Sequence, residues 1–153
     1  MSRLPSYARS CYNFIRSHNT RDVEVEADID KYENFSRSEI ACRCGCGTLR
    51  ISKLLMDRIQ IMRTLYGKPM HPTSGCRCPN HNRNEGGSPK SFHLSSAVHL
   101  CKAIDIGYAN NRELFFLVML AVLVGFRRIL IYPKLNFVHL DVGDRDQDIL
   151  VIM

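Results

Sequence analysis

At 153 residues and 17.6 kDa, with 45% hydrophobic and 24% charged residues, the chain has the size of one ordinary domain and can bury about two-thirds of its unfolded surface, which excludes wholesale disorder. Its longest apolar run, residues 114–125, falls well short of the ~20 residues of a membrane helix, and the scattered charge of the first residues predicts no secretory signal and a start in a cytoplasm. The net charge of +6 averages an acidic segment at 22–33, six acids and one base, with a body at 34–143 that carries fifteen Lys or Arg and six Asp or Glu, a balance of +9; the cations stand singly with few aromatics, so solvated charge is the expected reading and nucleic acid is not an expected partner.

Residues 1–33 are expected to form an N-terminal extension, in which the alternation Val23, Val25, Ala27, Ile29 fits one edge strand. Ser52 is the expected N-cap of an amphipathic helix that runs to about Tyr66, with Leu54, Ile61 and Leu65 along one side, Leu55, Ile59, Met62 and Tyr66 beside it, and Gly67 and Pro69 as its stop. Residues 71–92, rich in Pro, Gly, Ser and Asn, read as a long loop, the kind of segment that often carries function in a small domain. A strand at 97–106 follows. Asn110 or Asn111 caps a second helix at 112–124, apolar nearly all round and so expected at the centre of the core. Strand patterns at 128–132 and 137–142, joined by PKLN, predict a β-hairpin, and residues 144–153 an acidic tail. The order is that of an α+β domain with a small antiparallel sheet packed against helices.

Polar residues that do not fit a core gather in three strings: SGCRCPNHNRNEGGSPKSFHL from Ser74, AIDI from Ala103 and NFVHLDV from Asn136. Asp105 lies between Ile104 and Ile106, and His139 between Val138 and Leu140. A carboxylate and an imidazole in buried strands are costly unless paired or bound to metal. A second His from the loop completes a His, Asp, His set with an open fourth position, the pattern of catalytic zinc.

With these strings in order, the chain resembles the zinc-dependent D-Ala-D-Ala carboxypeptidase and L-Ala-D-Glu endopeptidase family, in its small phage and bacterial members, whose fold is shared with the hedgehog signalling domain. The resemblance runs from NFSRSEIACRCGCG at Asn34 (family form FSxxEFxCxCGCG) through GKPMHPTSGCRCPNHN (GKPxxxTSGYRCPxHN), GGSPKSFHL (GGxPxSxHL) and AIDI (AxDI) to the hairpin ending FVHLDV (FVHVDV), and covers residues 34–143. It implies a zinc peptidase domain over those residues, Zn2+ as cofactor with His93, Asp105 and His139 as ligands, and Arg77 as the arginine that binds the substrate carboxylate or polarises the scissile carbonyl, a task suited to a planar, permanently charged fork. It further implies the peptide stem of peptidoglycan as substrate, and a host cytoplasm or a virion as the place from which the wall is reached, with phage particle proteins as partners if the fold serves assembly instead of catalysis.

Two departures from the family stand out. Its usual spacing is HxxGxAxD, whereas eleven residues separate His93 from Asp105. His99 is closer in sequence, but on a straight strand six steps of about 3.3 Å would hold it roughly 20 Å from Asp105; His93, with its Ser two places before and Leu one after, is therefore the expected ligand and His99 the alternative. Some members place an Asp three residues before the last His, where this chain has Asn136. Asp141, on the same strand face as His139, is then a candidate general base or a carboxylate that orients a ligand, and Glu85 is a candidate without motif support. The seven cysteines include Cys42, Cys44, Cys46, Cys76 and Cys78, which, with or without His81, suit a structural zinc site, buried thiols or one disulfide equally; C-x-C pairs on an extended chain do not curl round one ion.

Overall fold

The period-two patterns of AIDIG and FVHLD set two faces on one sheet. Both form strands: β1 is His71–Ser74, β2 Ala103–Gly107, β3 Arg128–Tyr132, β4 Phe137–Asp141 and β5 Ile149–Ile152, in the order β1-β2-β4-β3-β5. The computed structural model describes residues 24–144 and 149–153. Pairing is antiparallel except between β3 and β5, which run parallel, so the antiparallel sheet expected from sequence is a mixed one in an α+β fold. Ile104 and Ile106 of β2, Val138 and Leu140 of β4 and Ile129 of β3 point to one face and join the buried core. Asp105, His139, Asp141 and Arg128 alternate with them and occupy the other.

The helices are α1, Arg37–Ile40; α2, Lys53–Tyr66; α3, Pro79–Asn84; and α4, Asn111–Leu123. Against the apolar face pack Leu55, Met56, Ile59 and Met62 of α2 with Leu117 and Ala121 of α4. Helix α2 begins after Ser52 as expected, although the Ser52 side chain makes no cap bond, and ends at Gly67 in the left-handed conformation. Asn110, of the two candidates, caps α4 by accepting from the Glu113 amide at 3.0 Å. Helix α4 departs from expectation: it is not enclosed, and Phe115, Phe116, Met119, Val122 and Leu123 are exposed.

Within the expected loop at 71–92 lie β1 and α3, and the expected strand at 97–106 is regular only from Ala103. Of the edge strand expected at 23–29, Val23 lies outside the described residues; the rest is reduced to a bridge between Glu26 and Ser52 followed by a 3-10 turn, Ile29–Lys31, with Ile29 buried in the core. At the other end, residues 149–152 of the tail add β5 to the sheet.

Candidate metal centre

Register does the first part of the assembly. In the antiparallel ladder Asp105 lies directly opposite His139 on one side and Ser74 on the other, so the three side chains form a row across one face. His139 Nδ1 stands 2.8 Å from Asp105 Oδ1. His93 reaches the row from the loop: its Nε2 lies 3.2 Å from Asp105 Oδ1 and 3.2 Å from His139 Nδ1.

The eleven residues between His93 and Asp105 are taken up by a side excursion. Ser96 and His99 pair across a tight turn that places Val98 and His99 in solvent. Arg50 holds the base of this turn, donating from Nη1 to the carbonyls of Ser96 at 2.7 Å and Ala97 at 2.6 Å. The chain then returns beside Ile51 at Cys101 and enters β2. His99, the alternative ligand, is thereby left outside the cluster, which among the described residues contains His93, Asp105 and His139.

Each imidazole is oriented by its remote nitrogen. His93 Nδ1 donates to the Gly75 carbonyl at 2.7 Å, and His139 Nε2 lies 3.1 Å from Asp141 Oδ2. Asp141 is 1% exposed, accepts from the Gly143 amide at 3.2 Å and lies 3.6 Å from Arg128 Nη1. With Nδ1–H of His93 and Nε2–H of His139 directed at acceptors, His93 Nε2, His139 Nδ1 and Asp105 Oδ1 present three lone pairs to one point. Such a set repels itself unless a proton or a cation lies among it. Tetrahedral zinc with N and O ligands at 2.0–2.1 Å would separate them by about 3.3 Å, close to the distances found. The donor set therefore fits zinc, with a tautomer and an approach angle fixed in advance for both histidines.

Without metal, a proton does the same work. Burial opposes the charge on His139, but the bonds to Asp105 and then Asp141 outweigh it and raise the imidazole above its usual range. Burial likewise raises Asp105, yet the hydrogen bonds of His139 and His93 prevail and hold the carboxyl well below the ordinary carboxylate range.

Arg77 lies at the edge of the same cluster. Its Nη2 donates to Asp105 Oδ2 at 3.2 Å and its Nε to Ser74 Oγ at 2.9 Å, so the guanidinium grips the oxygen of Asp105 turned away from the histidines. Its backbone pairs with the segment that carries His93, donating to the His93 carbonyl at 2.8 Å and accepting from Ser95 N at 2.9 Å. Buried Asn82 shapes the approach to that segment through bonds from Nδ2 to the carbonyls of Gly87 at 3.2 Å and Ser88 at 2.9 Å. Sequence reasoning assigned no role to Asn82, Gly75 or Ser74, although all three lie in quoted motifs. Asp141 contacts the nitrogen of His139 on the far side of the ring from the lone-pair cluster, the placement of an orienting carboxylate. Glu85 is exposed and turned toward His81 at 3.5 Å, and Asn136 sits in the β3–β4 turn with φ of 55°, a conformation Asn tolerates.

None of the curated proteins compared with the chain matches it. A family model described as Peptidase M15 matches residues 33–141, a span that includes α1 and ends on Asp141 with every donor of the cluster inside it, and the chain belongs to that family.

Proposed function

We propose that the protein is a zinc metallopeptidase that hydrolyses an amide bond in the peptide stem of peptidoglycan. The observation that carries this reading is the convergence of His93 Nε2, Asp105 Oδ1 and His139 Nδ1 within 3.2 Å of one another, with the remote nitrogen of each imidazole held by another acceptor, in a chain of the M15 peptidase family. These three residues would hold the ion. Zinc bound by two histidines and a carboxylate supplies Lewis acidity toward a carbonyl and lowers the pKa of water.

The chain's own residues supply the rest. Asp141 and the Gly75 carbonyl fix the histidine tautomers. Arg77 keeps Asp105 turned toward the cluster, and the N–H groups not used on Ser74 and Asp105 offer a site for the carboxylate of a peptide stem. The +9 balance of the body favours approach to an anionic wall.

His139→Ala is expected to lose the zinc of this centre together with lysis of purified peptidoglycan, measured by elemental analysis and by turbidity; undiminished lysis in that variant would sink the reading. A second reading is that the fold serves a phage particle as a wall-binding component without turnover. Asn136, in the place where some family members carry an Asp, favours it. Zinc-loaded protein that binds walls, stays with particles and releases no peptide would decide for this alternative.

A further inference from the structure

One residue along the chain from Arg77, Cys78 joins a second group of donors that the peptidase reading leaves unused. The sulfurs of Cys42, Cys44, Cys46 and Cys78 all lie within 4.8 Å of one another. Cys42 Sγ is 3.4 Å from Cys44 Sγ, and Cys44 Sγ is 3.7 Å from Cys78 Sγ. A disulfide needs about 2.0 Å; four thiolates at ~2.3 Å from a tetrahedral zinc lie about 3.7–3.8 Å apart. The separations of 3.4 and 3.7 Å are far too long for a disulfide and lie near the edges of that tetrahedron.

The objection that C-x-C pairs cannot curl round an ion holds for an extended chain, and this segment is not extended. Gly45 and Gly47 adopt φ of 81° and 72°, which only Gly takes without strain. The loop closes on itself where the Cys42 amide donates to the Thr48 carbonyl at 2.9 Å, and three sulfurs at alternate positions thus face inward. Backbone amides meet the sulfurs as they do around bound thiolates: Cys78 N donates to Cys42 Sγ at 3.2 Å and His81 N to Cys78 Sγ at 3.3 Å. Cys76 does not take part, being buried with its Sγ turned to the Arg50 carbonyl.

We infer that Cys42, Cys44, Cys46 and Cys78 form a second, structural zinc site. Four thiolates close the coordination shell and leave no position for substrate. His81, whose Nδ1 lies 3.2 Å from Cys42 Sγ, hydrogen-bonds to the site without ligating it. The ion ties the loop at 42–48 to Cys78, the neighbour of Arg77, and so steadies the backbone pairing of Arg77 with the His93 segment.

Zinc-replete protein, dialysed free of loose metal, is expected to hold two zinc ions per chain by elemental analysis, one in His139→Ala and one in the double variant Cys44→Ser/Cys78→Ser. Cobalt-substituted protein is expected to show the thiolate-to-cobalt charge-transfer band in the near ultraviolet, kept in His139→Ala and in His81→Ala and lost in the double variant. The wild type and His139→Ala leave every thiol intact, so they decide the matter even if the cysteine variant fails to fold. Absence of the band from both would overturn the site, and loss of one zinc on His81→Ala would overturn the four-thiolate assignment.

Discussion

Asp141 illustrates how one carboxylate acts through another residue's ring. Its bond to His139 Nε2 commits the Nδ1 lone pair to the cluster, and an amide in its place could present a donor to that nitrogen and flip the tautomer. Asp141→Asn is therefore expected to lower zinc affinity at the histidine centre by about 10–100-fold, measured by competition with a chelator of known affinity, while the cobalt–thiolate band stays unchanged. The metal-free protein should also carry a pH signature from His139. Its folded-state pKa is raised, so the stability it contributes is fully present below the unfolded value near 6.5 and is lost as pH rises through the higher folded value. Metal-free wild type should thus melt at lower temperature as pH is raised from about 6 toward 8, a fall absent from His139→Gln; zinc should reverse the trend, because protons compete with the ion for the same lone pairs. At this scale the sequence was informative: Asp105 and His139 were conspicuous as polar residues between aliphatic neighbours. Asp141 was legible only as sharing a face with His139, since which ring nitrogen it meets depends on a rotamer and not on spacing.

Between elements, the centre depends on close approaches that leave little trace in composition. Gly75 sits where an added Cβ would lie 2.5 Å from the Ile40 carbonyl oxygen at the end of α1, and its own carbonyl accepts from His93 Nδ1. Gly75→Ala is expected to cost on the order of 1–3 kcal/mol through overpacking against backbone, read from denaturant midpoints, and to weaken zinc binding by swinging the carbonyl away from His93. Unchanged affinity in a folded Gly75→Ala protein would show that this carbonyl does not orient the ligand. Helices α2 and α4 and the hairpin were legible because their apolar periods are long and their stops are Gly and Pro, whereas α1 and α3 are too short to show a period. Strand β1 was not, since HPTS has no alternation and is a strand only because β2 offers a partner. The turn at 96–99 was hidden for a similar reason: its residues read as the start of a strand until Arg50, some 45 positions away, bonds the carbonyls that a ladder would otherwise use. The apolar helix α4 was expected at the centre, but α2 covers the same face of the sheet, so α4, apolar nearly all round, is left with an apolar side outward.

Over the whole molecule, the acidic segment and the basic body turn out to be in contact. Glu24 pairs with Lys102, Glu26 with Arg50 at 2.9 Å and Asp30 with Arg37 at 2.9 Å, so part of the segment that composition set apart lies back over cations of the body. Composition could show that two charge blocks exist but not that one covers the other, because pairing of oppositely charged surfaces is decided by where the chain returns. Exposed pairs of this kind contribute little to stability and are screened by salt. Under the proposed function their larger effect would be on the field that an anionic wall meets. Replacing Glu24 and Glu26 by Gln and Asp30 by Asn would raise the formal net charge from +6 to +9 and uncover Lys102, Arg50 and Arg37 while leaving the metal ligands and the core intact. The triple variant is expected to melt close to the wild type, yet to sediment with anionic cell walls more completely at low ionic strength, with the advantage gone at roughly 0.5 M salt, where the Debye length is well under 10 Å. If wall association in both proteins is insensitive to salt, the charge of the body has no part in the proposed approach to the wall.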